Sequence, residues 1–124
     1  MNSNFPDCLY NLGLAYDQKG LYRGAIEAYK KCLETKPDYE NAYVNLGLAY
    51  KRLKKPEKAV QSYNEELKYH PGNVYAYLEL GVIYKEWGDY PKALANLRKA
   101  LTYPGLPNIK EVETMVSSIE AGQK

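Results

Sequence analysis

The stretch Asn11-Leu12-Gly13-Leu14-Ala15-Tyr16 returns intact 34 residues on as Asn45-Leu46-Gly47-Leu48-Ala49-Tyr50, and its Leu-Gly pair comes a third time as Leu80-Gly81. Outward from it, the echo takes in Tyr84, then Ala25, Ala59 and Ala93, then Tyr29, Tyr63 and Leu97, and closes with Pro37 and Pro71. A period of this length marks an array of repeated supersecondary units, each burying its apolar face against a neighbour.

Each unit reads as two helices. Leu9, Leu12, Gly13 and Tyr16 follow helical spacing, Gly20 marks a turn, and Ala25, Ile26, Ala28, Tyr29, Cys32 and Leu33 carry a second stripe. Pro37 then stops the second helix, because proline has no amide to continue the ladder. The glycine at positions 13, 47 and 81 costs about 1 kcal/mol in an exposed helix, so its recurrence implies that another helix approaches closely there.

Composition agrees with one small interaction-sized domain over residues 1–124. A net charge of +2 gives no field that argues for nucleic acid or an anionic membrane. Met1 to Asp7 lack the basic start and apolar run of a secretory signal, and no stretch nears the roughly 20 apolar residues of a membrane span. A cytoplasmic setting is the expectation. Cys8 and Cys32 fall in different helices of the first unit and read as two reduced, packed thiols.

These residues resemble the tetratricopeptide repeat family, whose period and pattern they share. The helix-packing places hold Leu9, Leu12, Gly13, Tyr16, Ala25, Tyr29 and Cys32 in the first copy, then Tyr43, Leu46, Gly47, Tyr50, Ala59 and Tyr63. The third copy has Tyr77, Leu80, Gly81, Tyr84, Ala93, Leu97 and Ala100. The resemblance implies an all-α fold: a right-handed superhelical α-solenoid of three helix-turn-helix units, residues 6–39, 40–73 and 74–107, with a seventh, capping helix over 108–121. It also implies a non-enzymatic protein-interaction module.

Departures from the pattern are informative. The second copy replaces the turn Gly-x-Tyr with Lys54-Lys55-Pro56, and puts Glu66 where a small residue usually packs. A carboxylate there must reach solvent or find a donor, since burying it alone is costly. The third copy ends in Tyr103-Pro104-Gly105-Leu106-Pro107, one residue early for the usual proline, and no Leu-Gly pair stands at Thr114-Met115. Instead, Asn108 with Glu111 resembles a capping box that opens a helix with Ile109, Val112, Val116 and Ile119 on one face. A stacked array needs such a cover with a polar outer side; a detachable segment that binds elsewhere or folds back over the groove is the alternative.

Catalytic signatures are missing. His70 is the one histidine, at a helix end before Pro71, and no Cys/His cluster has metal-ligand spacing. Gly13, Gly47 and Gly81 lie inside helices, not in phosphate loops after strands. No enzyme, cofactor or metal is expected. Of the 14 tyrosines, nine sit at packing or turn places; Tyr10, Tyr39, Tyr69, Tyr75 and Tyr103 remain as potential ligand contacts.

A second apolar stripe runs along the first helix of each copy. Tyr10 and Leu14, Val44 and Leu48, and Leu78 and Val82 occupy equivalent places four residues apart, on a face about 100° from the packing face. In the family's fold that face lines the concave surface, through which relatives hold extended or helical peptides. Covering roughly 400 Å² of it contributes on the order of 10 kcal/mol before the costs of association. Asn11 and Asn45 hold one place in successive copies, suited to bonding a peptide backbone, while Glu79 breaks the series. Lys51, Arg52 and Lys85 form a basic rim opposed by Asp17 and Glu86, which favours a mildly acidic flank on the ligand.

The family's chaperone-binding members clamp a terminal carboxylate with lysine, asparagine and arginine. Here the corresponding places hold Tyr10, Leu14, Asn45, Tyr75 and Glu79, so Asn45 alone matches and the charge pattern argues against a chaperone tail. The expectation is an adaptor binding a peptide or helix of a partner protein through Tyr10, Asn11, Leu14, Val44, Asn45, Leu48, Lys51, Arg52, Tyr75, Leu78, Val82 and Lys85. The rival is a homo-oligomer, self-associating through the same groove or the repeat ends.

Overall fold

The computed structural model describes residues 5–122; Met1–Asn4, part of the stretch read above for a signal, and Gln123–Lys124 lie outside the described residues. Within them run seven helices and no strand: α1 (Phe5–Gln18), α2 (Tyr22–Thr35), α3 (Ala42–Arg52), α4 (Pro56–Tyr69), α5 (Val74–Glu86), α6 (Tyr90–Leu101) and α7 (Ile109–Gly122). None of these is long and apolar enough to cross a membrane. The helices gather in two compact units that divide between Pro71 and Gly72.

In the amino-terminal unit, α1 packs on α2, α2 on α3 and α3 on α4. The recurrent glycines permit this: a Cβ on Gly13 or Gly47 would fall under 3.0 Å from the ring of Tyr29 or Tyr63. Each hairpin turn needs a left-handed residue. Gly20 takes φ +75° at the first, and Lys54 takes φ 63° at the same place in the second. A side chain there costs about 1–2 kcal/mol, so the departure at Lys54 carries strain that Gly20 avoids. Pro56 then opens α4 at its first position, where no amide partner is lost.

The carboxy-terminal unit packs α5 on α6 and α6 on α7. A Cβ on Gly81 would press on Leu97, and Gly88 supplies the positive φ at the turn. Asn73 caps α5 by accepting from the amides of Tyr75 (3.1 Å) and Ala76 (3.3 Å), and Asp89 caps α6 through Lys92 N at 3.4 Å. Val112, Val116 and Ile119 of α7 join Leu94, Leu97 and Ala100 of α6 in one core, with Leu106 from the connection. Ile109, expected on the same face, is exposed. Nor does Asn108 cap α7 with its side chain: its main-chain carbonyl accepts from Val112 N at 3.2 Å, while its Oδ1 is buried without a hydrogen-bond partner.

Two further expectations change, and the Glu66 alternative narrows. Leu12 stands at a packing place, yet it is 45% exposed where Leu46 is 5% exposed, because among the described residues no helix lies over that side of α1. Cys8, on the same side, is exposed rather than packed; Cys32 is buried, and burial, with the charge of Asp7 second, pushes its thiol up to about 11. Glu66 is wholly buried, so solvent is not what satisfies its carboxylate. His70 follows α4 as its cap, and its Nε2 donates to the Asp38 carbonyl at 2.8 Å.

Candidate functional site

The second apolar stripe of α1 and α3 lies within the amino-terminal unit. Tyr10, Leu14 and Leu48 are half-buried, while Val44 is 7% exposed and belongs to the core rather than to an accessible face. In the carboxy-terminal unit Leu78 is likewise buried (8% exposed) as part of its core, and Val82 is half-buried against that core. The six-residue patch expected from the repeats is therefore reduced: helix periodicity places a residue on a face, but a bulky neighbour can still cover it.

Two polar bridges join α1 to α3. Asn45 Nδ2 donates to the Tyr10 hydroxyl at 2.6 Å, and the Arg52 guanidinium stands 4.0 Å from Asp17 Oδ1. Tyr29 of α2 reinforces the second bridge by donating its hydroxyl to Asp17 Oδ2 at 2.6 Å. Leu14 lies between Tyr10 and Asp17 along α1, and Leu48 between Asn45 and Arg52 along α3. The apolar pair is thus framed at each end by a polar crosspiece. One donor of Asn45, assigned above to a peptide backbone, is engaged by Tyr10; its predecessor Asn11 is exposed.

Electrostatics follow from this packing. Burial raises the Tyr10 hydroxyl above its ordinary value, against the opposing hydrogen bond from Asn45, with smaller contributions from Cys32, Glu66 and Asp17. Tyr29 is raised further, by burial first and then by its bond to Asp17. Both phenols stay neutral at physiological pH. Arg52 also lies over the Tyr22 ring at 5.7 Å, so its charge is tied down within the unit and contributes less to a basic rim than expected. Lys51 is half-buried and Lys85, in the other unit, is exposed.

The remaining tyrosines divide. Tyr10 packs on Tyr39 with ring centroids 4.9 Å apart, and Tyr39 donates to Asp7. Tyr69 stacks on Tyr43 and Tyr103 on Tyr77, at interplanar angles of 7° and 15°. Those pairs join the same two places of successive copies and hold each hairpin shut, which accounts for Tyr69 and Tyr103 as structural. Tyr75 is exposed. Sequence reading also passed over an open depression among α2, α3 and α4, lined by Lys30, Tyr43, Tyr50, Lys58 and Glu65. Its signal, Lys58 over the Tyr50 ring, joins residues of two helices and has no local spacing.

A sequence profile described as tetratricopeptide repeat matches residues 6–39, and a second of the same description matches 44–107. The chain belongs to the tetratricopeptide repeat family. No match was found among curated protein sequences. Among solved tetratricopeptide-like structures, that of MamA shares 29% identity at a TM-score of 0.76, covering 78% of this chain and 57% of that one. This chain therefore spans little more than half the length of the MamA chain. The first TPR of Spaghetti (RPAP3), bound to the HSP90 peptide SRMEEVD, shares 24% identity at a TM-score of 0.84, over 95% of this chain and 92% of that one. The Yersinia enterocolitica type III secretion chaperone SycD, in complex with a peptide of the translocator YopD, shares 18% at 0.89, over 98% and 97%. At those identities the last two show a common fold. The repeats are protein-interaction modules, and neither profile indicates an enzyme.

Proposed function

We propose that the chain is a non-enzymatic adaptor that binds a peptide or helix of a partner protein across the α1/α3 face of its amino-terminal unit. The observation that carries this reading is the framed apolar pair: Leu14 and Leu48, half-exposed, between the Tyr10–Asn45 and Asp17–Arg52 bridges. Crosspieces of this kind fix the separation of two helices, so the face is organised before a ligand arrives and less ordering opposes binding. An apolar ligand side chain seats on the leucines. Asn11 and the rest of the Asn45 amide bond its main chain, and Lys51 completes the rim. Tyr75, Val82 and Lys85 offer a corresponding set on α5 of the other unit.

The same fold holds an HSP90 peptide in RPAP3 and a translocator peptide in SycD. Those complexes do not support the exclusion of chaperone tails drawn from charge pattern alone, and the exclusion is withdrawn. The test is a lysate pull-down with the intact chain and with a Leu14→Glu/Leu48→Glu variant shown by circular dichroism to stay helical. Proteins captured by the first and lost from the second are ligands of this face, and a chaperone-tail peptide is titrated against both. Identical captures would refute the reading.

A further inference from the structure

The chain's net charge of +2 conceals an uneven division. Residues 17–24 and 51–58, which carry the α1–α2 and α3–α4 turns, hold seven lysines and arginines against Asp17 and Glu57, a local charge of +5. The two turns are neighbours: Arg52 stands 4.0 Å from Asp17 Oδ1 and lies over the Tyr22 ring. Between them is a depression of about 300 Å³ lined by residues 20–24 and Leu53. Turns within a hairpin lie on the lateral edge of a repeat array, whereas neighbouring repeats stack along the helix faces, so a repeat on either side leaves this edge open. Arg52 and Lys58 are engaged over the rings of Tyr22 and Tyr50. Lys19, Arg23, Lys54 and Lys55 are exposed, and among the described residues none of these four is in an ion pair. Lys54 brings its charge in a left-handed backbone conformation, a strain that Gly20 and Gly88 avoid at the same place in their copies.

The chemistry of the edge selects its ligand. Leu21, 52% exposed, and the half-buried Leu53 give the depression an aliphatic surface. Tyr22, the one aromatic residue in its lining, already carries Arg52 over its ring, which makes a poor stacking platform for a nucleic-acid base. A bilayer takes a protruding apolar face, and here the apolar surface is recessed. A recess of this kind receives an apolar side chain of a peptide, and carboxylates beside that side chain form charge-assisted hydrogen bonds with the surrounding cations. We propose that this turn edge binds an acidic peptide segment of a partner protein: an apolar residue seated against Leu21 and Leu53, flanked by aspartates or glutamates that meet Lys19, Arg23, Lys54 and Lys55. Leu14 and Leu48 take no part, so the site stands whether or not the α1/α3 face binds a ligand. Exposed cations act chiefly on encounter and are screened by salt, so the contact is weak and salt-sensitive.

The probe is a short fluorescein-labelled polyglutamate peptide with one central leucine, titrated with the full chain and followed by fluorescence anisotropy. The expected result is a Kd below about 1 mM at low salt, rising about tenfold between roughly 0.05 and 0.3 M salt. Lys54→Gly/Lys55→Gln removes two charges and puts a glycine at the left-handed position, so the turn is kept; it weakens binding about fivefold. Serine in place of the peptide's leucine weakens it as well, while Leu48→Glu leaves it unchanged. Amide shifts of the unsubstituted chain, which need no variant to fold, fall on residues 19–24 and 53–55. Absence of binding at low salt overturns the proposal, as does equal affinity for Lys54→Gly/Lys55→Gln or for the leucine-free peptide. Shifts on Leu14 and Leu48 instead would move the peptide to the α1/α3 face, overturning this site and leaving the adaptor reading intact. Tighter binding of an oligodeoxythymidine, or of phosphatidylserine vesicles, than of the peptide would overturn it in favour of nucleic acid or membrane.

Discussion

Lys54 and Gly47 are single residues at which backbone and packing give opposite signs for the same kind of change. Lys54 occupies a turn position with φ 63°, where its counterpart is Gly20. Lys54→Gly removes a steric cost of about 1–2 kcal/mol and adds a smaller entropic one, so urea denaturation is expected to show a gain of about 1 kcal/mol. Gly47→Ala would stabilise an exposed helix, but here the new methyl meets the Tyr63 ring, and a loss of about 1–3 kcal/mol is expected. A third residue, Cys32, sets a pH dependence. Its folded thiol stays protonated to about 11, against an ordinary 9.0, so the unfolded chain releases its proton first as pH rises. Its contribution is complete below pH 9.0 and disappears between there and about 11. Thermal midpoints recorded across that window should fall more steeply for the native chain than for Cys32→Ala; parallel curves would contradict the assignment.

Among the elements, α7 is held by its inner face. Ile119 is buried and Ile109 exposed, so Ile119→Ala is expected to cost about 2–4 kcal/mol and Ile109→Ala well under 1 kcal/mol, measured by chemical denaturation. Equal effects would mean that α7 packs in another rotation. The element scale is also where the sequence was most legible. Gly13, Gly47 and Gly81 announced their close contacts by recurring where glycine is unfavourable, and the row of buried positions on α7 followed from its spacing. Ile109 and the side chain of Asn108 escaped because a helix's first turn depends on how the connection delivers it. The Tyr43–Tyr69 and Tyr77–Tyr103 stacks join the two ends of a hairpin, a pairing that local periodicity does not encode. The opposition of Asp17 and Arg52 was visible as charge, but the hydroxyl of Tyr29 on the same carboxylate was not.

At the scale of the whole molecule, repetition makes faces equivalent in sequence that are unequal in the fold. Leu12 and Leu46 are the same repeat position, and only the second is buried, so the repeat pattern alone could not identify the open side of α1. By the same logic Val44 entered the core while Leu48, one turn on, remained accessible. The adaptor reading depends on that remaining surface. Its most direct test is amide chemical-shift mapping of the intact chain titrated with a peptide from a captured partner, repeated on Leu48→Glu. The account predicts shifts concentrated on Tyr10, Leu14, Asn45 and Leu48, and at least tenfold weaker binding by the variant, a loss of about 1.4 kcal/mol. Shifts confined to α7 or to the depression around Lys58, with unchanged affinity in Leu48→Glu, would contradict it.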